Sequence, residues 1–293
     1  MASVLRFRTV WGISPGKNYE DWAKWFPTLK AQGYAGVEVD FMDFSDLPSI
    51  RRLADEAGLE ISVLIHAQWP SYAGPTPTGP TPQDLLESYR TKLEIAQTLK
   101  PYKINAHSGN ERWTVDEAVE FYRGTLDVDA ELGLAGKVCH ETHRNTAFYH
   151  PESTASVLKR VPKLKVTADF SHFVVVCERL LDIYEEDKSA IRTIIPHVGH
   201  IHARMGTTQA SQCPDPTHEA FKEERKYFES VWKQIIDVTA TASEPITFVP
   251  EYGPFPYHPV NAQTTFSEVA DSEGARLQPL FESQAKAAVA SRQ

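Results

Sequence analysis

The feature that most constrains this chain is a repeated joint, in which a helical segment ends at a glycine and an apolar strand follows. The joints read AQGYAGVEVD, EAGLEISVLIHA and ELGLAGKVCHET, and they begin at positions 31, 56 and 131. A glycine in this place can adopt the left-handed conformation that ends a helix. Repeated helix and strand units are typical of parallel strands that are covered by helices.

Eight strands can be placed along the chain, and they alternate with helical segments without a domain-sized interruption. The predicted strands are 5–13, 36–41, 60–67, 102–107, 137–143, 165–170, 197–204 and 246–252. This alternation predicts an α/β fold with one (β/α)8 TIM barrel domain over residues 1–293, with 284–293 as a candidate disordered tail. A TIM barrel typically takes about 250 residues. A doubly wound open sheet is the alternative, but the first turn, WGISPGKN, lacks its G-x-G-x-x-G pattern.

Composition excludes several classes of protein. The chain is 41% hydrophobic and 24% charged, which is ordinary for a globular domain with a sizeable core. Its net charge of -9 disfavours duplex DNA and anionic membranes as partners. The cysteines Cys139, Cys177 and Cys213 are odd in number and form no C-x-x-C pair, so we expect free thiols in a reducing compartment. No apolar run approaches the roughly 18 residues of a membrane span, which favours a cytoplasmic protein. A homo-oligomer is left open.

Strand parity predicts which side chains enter the barrel, because every second residue of a strand points the same way. In the fifth strand, Val138 and His140 are expected to face the helices, which turns Glu141 inward and leaves His143 above it. The other strands repeat this arrangement, with apolar side chains outward and polar side chains inward near the strand end. The predicted inward residues are Glu38, His66, Asn105, His107, Glu141, Asp169, His200, His202, Arg204 and Glu251.

Several of these inward residues are carboxylates, which repel one another in a concave site unless a cation lies among them or some are protonated. We therefore expect one divalent metal ion, held by Glu141, Asp169, His202 and Glu251. Three carboxylates and one imidazole favour Mn²⁺ or Mg²⁺, with Co²⁺, Fe²⁺ or Zn²⁺ as alternatives. The alternative interpretation of each single residue is a hydrogen-bonded polar group at the barrel rim.

The motifs GVEVD, NAHSG, HETH, ADFSH, HIHAR and PEYG, spread over residues 10–253, resemble those of the xylose isomerase-like barrels. These barrels include ketose 3-epimerases, hydroxypyruvate and inosose-type enzymes, and AP endonuclease family 2. The resemblance implies that Glu141 and Glu251 bind the metal and also exchange the substrate proton on opposite faces, and that His172 contacts the substrate. The segment after His202 departs from the sugar epimerases, so Arg204 is a candidate for the basic residue expected there.

Further residues are candidates for substrate binding. Three long connections, 66–82, 204–217 and 252–261, follow strand ends, and long loops on that face of a barrel usually form the substrate pocket. Trp69, Trp113 and Tyr252 follow strand ends and could stack on a sugar ring or pack beneath the loops. The complete set of predicted substrate-binding residues is Glu38, His66, His107, Trp113, His172 and Arg204.

Two enzyme functions fit this site and a small-molecule carbohydrate substrate. The first is a metal-dependent isomerase or epimerase that transfers a proton next to a carbonyl through a metal-stabilised enediolate, and the second is a lyase or dehydratase that eliminates a β-leaving group. An AP endonuclease-type phosphodiesterase is a third interpretation. It requires an Asp/His pair, for which Asp215 and His218 offer D-x-x-H instead of D-x-H, and the net charge disfavours DNA. A non-catalytic binding protein is a fourth.

Overall fold

The strands of the chain close into a parallel barrel. The computed structural model describes residues 3–13, 19–40, 46–67 and 78–292. Neighbouring strands pair in sequence order, and the last strand pairs with the first, which confirms the predicted single-domain TIM barrel. The strands are β1 (Val4–Thr9), β2 (Gly36–Asp40), β3 (Glu60–His66), β4 (Lys103–His107), β5 (Val138–Glu141), β6 (Val166–Ala168), β7 (Val198–His202) and β8 (Ile246–Val249).

Helices surround this barrel. They are α1 (Tyr19–Ala31), α2 (Leu47–Ala57), α3 (Pro82–Ala96), α4 (Val115–Glu131), α5 (Pro151–Arg160), α6 (Phe170–Cys177), α7 (Glu185–Ile194), α8 (Lys222–Thr239) and α9 (Phe266–Ala290). One cluster of buried side chains packs β2, β3 and β4 against α1, α2 and α3. Another packs β6, β7 and β8 against the helices from α4 onward. The apolar core therefore lies between the strands and the helices, and the barrel interior is left to other residues.

The parity of the strands is as predicted. Val37, Val39, Val63 and Ile65 are fully buried on the outer surface of the barrel. His140 also faces the helices, where its ring stacks on that of Tyr89 with centroids 5.6 Å apart. Burial lowers the pKa of His140 to about 3, so this histidine is neutral and belongs to the core. Glu141, the next residue, consequently points into the barrel.

Several strands end earlier than predicted, and β6 gives the clearest case. The predicted strand ran to Phe170, but β6 stops at Ala168 and Phe170 is the first residue of α6. Asp169 is the N-cap of this helix, and its carboxylate accepts a hydrogen bond from the Ser171 backbone N–H at 3.1 Å. The strand prediction was wrong here because a capping side chain stabilises the start of a helix at a residue that parity assigns to the strand.

The predicted disordered tail is also wrong over most of its length, since α9 continues to Ala290. The helix starts with a capping box between Thr265 and Glu268. Phe281, Ala285 and Ala288 form a buried stripe at helical spacing, and the Phe281 ring lies 4.9 Å from that of Phe248 in β8. This apolar stripe ties the end of the chain to the barrel.

The predictions about cysteines and membrane spans can also be compared with the structure. Cys139, Cys177 and Cys213 are all free thiols, as predicted. Among the described residues, no helix combines the length and the apolar character that crossing a membrane requires.

A buried carboxyl group joins two of the outer helices. The Tyr89 hydroxyl in α3 donates a hydrogen bond of 2.6 Å to Asp129 Oδ1 in α4. Asp129 is buried, and this burial raises the pKa of its carboxyl to about 7 although the Tyr89 hydrogen bond opposes the shift. The group is therefore protonated in the folded protein at pH values where it is ionised in the unfolded chain.

We predict that Asp129→Asn removes a pH dependence from the stability of the protein. A carboxyl pKa that is higher in the folded state stabilises the fold below the unfolded pKa of about 4, and this stability is lost as the pH rises to about 7. The wild type should lose stability between pH 5 and pH 7.5 while the variant does not. The difference in the free energy of unfolding, variant minus wild type, should therefore rise by about 2 kcal/mol over this range. Urea denaturation at the two pH values measures this, with the exposed Asp127→Asn on the same helix as the control. An equal difference at both pH values would refute the assignment.

Candidate metal centre

The predicted metal ligands lie together at the carboxyl ends of adjacent strands. Glu141 ends β5, Asp169 follows β6, His202 ends β7, and Glu251 lies two residues after β8. One potential ligand atom from each of these residues lies within 4.8 Å of the others. All four side chains are buried, the most exposed being Glu251 at 6%. Three carboxylates and an imidazole in this arrangement could hold a metal ion.

The hydrogen bonding of Glu141 fits a cation in this cluster. Its Oε2 atom accepts a hydrogen bond from Asn105 Nδ2 and lies 2.8 Å from His107 Nε2. Its Oε1 atom is buried and has no hydrogen-bond partner among the residues that the structure describes. A buried carboxylate oxygen without a partner is costly, and a divalent cation would satisfy it.

The charge balance of the cluster points in the same direction. Burial raises the pKa of Asp169 to about 7. The positive charge of Arg204 opposes this shift, while the negative charges of Glu251 and Glu141 add to it. Protein groups alone thus leave Asp169 short of positive charge, which a hard divalent ion in this cluster would supply.

The ring of His202 is held in one orientation by carboxylates on both sides. Its Nδ1 atom lies 3.2 Å from Glu251 Oε2 and 3.6 Å from Glu141 Oε2. Its Nε2 atom lies 3.1 Å from Glu38 Oε1. Nδ1 is therefore the atom directed at the cluster, and a carboxylate behind a ligating histidine is a common way to fix the ring and its tautomer.

Glu38 lies both at the cavity and beside His202. It lines the cavity above the cluster, as expected of a substrate-binding residue. Its Oε2 atom also contacts the barrel, because Ser62 Oγ donates to it at 2.9 Å and His200 Nε2 lies 3.5 Å away. Burial raises the pKa of Glu38, but the charge of His202 and the contacts of both histidines outweigh it and hold the pKa well below its usual range.

Arg204 lies among the ligands. Its Nη2 atom donates to Asp169 Oδ2 and lies 2.6 Å from His172 Nε2, and its Nη1 atom lies 3.3 Å from Glu251 Oε2. The guanidinium is 1% exposed. Arg204 therefore compensates the charge of two of the four ligands, and a metal ion would share Asp169 and Glu251 with it.

A cavity of about 610 Å³ opens onto this cluster. Four of the predicted substrate-binding residues line it, namely Glu38, His66, His107 and Arg204. His66 Nε2 lies 3.0 Å from Asp40 Oδ2, and its ring packs on that of His107 with centroids 4.8 Å apart. The cavity is large enough for a sugar-sized molecule.

Other predicted substrate contacts are placed elsewhere. Trp113 does not line the cavity, because its indole N–H donates to the Pro80 carbonyl at 3.0 Å and its ring packs on Phe121. It directly precedes the N-cap of α4, and so it belongs to the helical layer. His172 is fully buried and does not line the cavity either; it contacts Arg204.

Tyr252 and Trp69 were the other two candidates for stacking on a sugar ring. Tyr252 is fully buried, and its hydroxyl accepts a hydrogen bond from the Met205 backbone N–H at 3.2 Å, which supports the packing alternative. Trp69 lies outside the described residues.

An aromatic wall of the cavity was not predicted. The rings of Trp11 and Tyr257 meet edge to face with centroids 4.9 Å apart. Trp11 can lie against Gly253 only because that residue has no side chain, since a Cβ there would be 2.1 Å from the ring. Arg144 lies over Tyr257, with its Cζ atom 5.1 Å from the ring centroid. Two signals were present in the sequence: Arg144 directly follows the HETH motif, and Tyr257 lies in the long 252–261 connection.

The chain belongs to the xylose isomerase-like TIM barrel family. A family model with the description "Xylose isomerase-like TIM barrel" matches residues 26–239, which are most of the chain. This confirms the resemblance noted from the motifs. A search of curated protein sequences found no match.

Solved structures show the same fold at low sequence identity. The probable 3-DHS dehydratase AsbF from Bacillus anthracis is 16% identical with a TM-score of 0.56, and the match covers 94% of this chain and 98% of that one. A D-allulose 3-epimerase from Methylomonas sp. in complex with D-allulose is 14% identical with a TM-score of 0.58 over 96% and 98% of the two chains. An IOLI protein with a bound zinc atom is 10% identical with a TM-score of 0.57 over the same shares. At these identities the similarity concerns the fold.

We predict that Glu38→Gln lowers the affinity for Mn²⁺ by about 10- to 100-fold, because outer carboxylates that orient ligating histidines typically contribute this much. Gln keeps the size of the side chain but loses the charge that faces His202 Nε2. Isothermal titration calorimetry of the metal-free protein measures the affinity. Glu56→Gln, an exposed position on α2 whose side chain is 59% accessible, is the control. Unchanged Mn²⁺ affinity in Glu38→Gln would rule out the orienting role.

Proposed function

We propose that the protein is a divalent-metal-dependent isomerase or epimerase of a sugar or keto-sugar. The observation that carries this proposal is that two buried carboxylates, Glu141 and Glu251, both approach His202 Nδ1, at 3.6 and 3.2 Å, and that Glu251 lines the adjoining cavity. Glu141, Asp169, His202 and Glu251 would hold the ion. The oxygen-rich donor set favours Mn²⁺ or Mg²⁺, with Co²⁺, Fe²⁺ or Zn²⁺ as alternatives.

The two glutamates are suited to move protons. Burial raises the pKa of Glu141, but the charges of His107 and His202 outweigh it and hold the pKa well below the usual value. Arg204 and His202 likewise overcome burial and lower the pKa of Glu251. Both groups are therefore ionised and can accept a proton.

In the proposed reaction, one glutamate removes the proton next to the substrate carbonyl and the other returns a proton to the opposite face or to the neighbouring carbon. A bound divalent ion would polarise that carbonyl and so lower the pKa of the adjacent C–H. Asn105 and His107 contact Oε2 of Glu141 and so orient this carboxylate. The D-allulose 3-epimerase and the zinc-binding IOLI protein, which share the fold, support this class of chemistry.

A metal-dependent lyase or dehydratase is the second candidate, because the two glutamates are not equivalent. Glu251 lies 3.3 Å from Arg204 Nη1, whereas Glu141 keeps an oxygen without a partner among the described residues. Elimination of a β-leaving group needs one essential base, and Glu141 alone could supply it. The similarity in fold to the probable dehydratase AsbF is compatible with this reaction.

An AP endonuclease-type phosphodiesterase receives no support from the candidate Asp/His pair. Asp215 accepts hydrogen bonds from Thr217 at 3.1 and 2.8 Å, and His218 accepts one from the Ala220 backbone N–H at 3.1 Å. Neither residue lines the cavity or belongs to a group of described residues that could hold a metal.

We predict that Glu141→Gln and Glu251→Gln each lower turnover by about 10²-fold or more, because Gln keeps an oxygen ligand but cannot accept the proton. The assay is deuterium exchange from solvent into a panel of keto-sugars, followed by NMR with Mn²⁺ present, and Glu56→Gln is the control. In an epimerase the two variants should differ in which substrate hydrogen they still exchange.

Two outcomes would contradict the paired transfer. Near-normal turnover in Glu251→Gln, with release of water or of an aglycone, would establish elimination with Glu141 as the base. Wild-type protein that binds one Mn²⁺ per chain but exchanges no hydrogen of any keto-sugar would refute both enzyme functions.

A further inference from the structure

Arg144 lies on the cavity wall in the turn that follows β5. The preceding side chain, His143, has its Nδ1 atom 2.7 Å from the Arg144 carbonyl oxygen. The following residue, Asn145, has a φ of 67°, in the left-handed region that Asn tolerates better than most residues. This turn places both His143 and Arg144 at the cavity.

Among the described residues, Arg144 has no carboxylate partner. Its Nη1 atom donates to Ser211 Oγ at 3.4 Å, and its Cζ atom lies 5.1 Å from the centre of the Tyr257 ring. Within the described parts of the chain it forms no ion pair with a carboxylate, whereas Arg204 on the same wall pairs with Asp169 and Glu251. A guanidinium of this kind has donors available in a geometry that matches carboxylate and phosphate.

The Tyr257 ring lies close to both Arg144 and Arg204, and Arg204 contacts the candidate metal centre. Arg204 lies over the same ring, with its Cζ atom 5.2 Å from the centroid. The two guanidinium carbons can therefore be no farther apart than the sum of their distances to this ring. Since Arg204 also contacts Glu251, which lines the same cavity, a small molecule bound at Arg144 lies within reach of Glu251.

We infer that the substrate carries an anionic group, a carboxylate or a phosphate, and that Arg144 binds this group. The inference rests on the proposed function, because it defines the substrate class of the same site. The chain has a net charge of -9, and Glu38, Asp40 and Glu251 line the cavity. An anion in such a cavity needs cationic contacts, and Arg144 offers one that no described carboxylate already pairs with, so Arg144 determines specificity.

The test compares three six-carbon ligands that differ in one end group: D-gluconate, D-glucitol 6-phosphate and neutral D-glucitol. Their affinities are measured by isothermal titration calorimetry on the Mn²⁺-loaded protein and again after removal of the metal with EDTA. At least one anion should bind about tenfold or more tightly than glucitol in both states, as expected of a charge-assisted hydrogen bond. A preference for gluconate alone assigns a carboxylate, and one for glucitol 6-phosphate alone assigns a phosphate.

Variants assign the preference to Arg144. Arg144→Gln should reduce it to less than threefold, and Arg144→Lys should keep part of it because Lys retains the charge without the planar fork. Arg112→Gln, an exposed arginine that does not line the cavity, is the matched control and should behave as wild type. Independently of any variant, the preference of the wild-type protein should shrink as NaCl is raised from about 50 to 500 mM, because salt screens the interaction.

Equal binding of all three ligands, or a preference that survives in Arg144→Gln, would overturn the inference. Solvent exchange on a neutral keto-sugar separates this result from the proposed function. Exchange without an anion preference would leave the enzyme class standing and remove the anionic subsite. An anion preference without exchange would support the anionic subsite and contradict the proposed enzyme class.

Discussion

Mutual repulsion of buried carboxylates is the constraint around which the barrel interior is arranged. Glu141, Asp169 and Glu251 lie within a few ångströms of one another and have lost nearly all contact with water. Each such group loses several kcal/mol of hydration unless charges or hydrogen bonds replace it. The strands supply His202, Asn105, His107 and Arg204 for this purpose, and one oxygen of Glu141 still remains unsatisfied among the described residues. A bound cation would satisfy this oxygen and offset the repulsion.

Two arginines on one side of the cavity illustrate how position determines role. The charge of Arg204 is compensated inside the barrel, because Arg204 pairs with Asp169 and Glu251. Arg144 lies against the same tyrosine ring and lines the cavity, but it pairs with no carboxylate in the described chain. The cavity therefore has a polar floor, where the chemistry would occur, and an aromatic and cationic wall, where a substrate would be selected.

The barrel and the candidate ligand cluster could be predicted from the sequence because both depend on the alternation of side chains along a strand, which every strand has. The alternation of Val37, Glu38 and Val39 decides which face each side chain occupies, and parallel pairing brings the strand ends to one rim. Contacts between loops do not follow from such a rule. Arg144 and Tyr257 are more than one hundred residues apart, and only the closed fold brings them together.

Errors at single residues have similar causes. Trp113 and His172 follow strand ends closely in sequence, yet the helix cap after β4 and the short helix α6 turn them away from the cavity. Parity also cannot distinguish a side chain that contacts substrate from one that orients a neighbour. Glu38 shows this, because it lines the cavity while Ser62, His200 and His202 also contact its carboxylate.

The double use of Asp169 has a consequence for how sequences with this architecture can change. Its carboxylate belongs to the ligand cluster, and the same group caps the first turn of α6 through Ser171. Asn, Ser and Thr cap helices about as well as Asp does, but they bring no negative charge. Drift at this position is therefore expected to pass through these residues, which preserve the helix start after the charge is lost. A chain that lost the carboxylate in this way would keep an intact barrel while its candidate ligand cluster was incomplete.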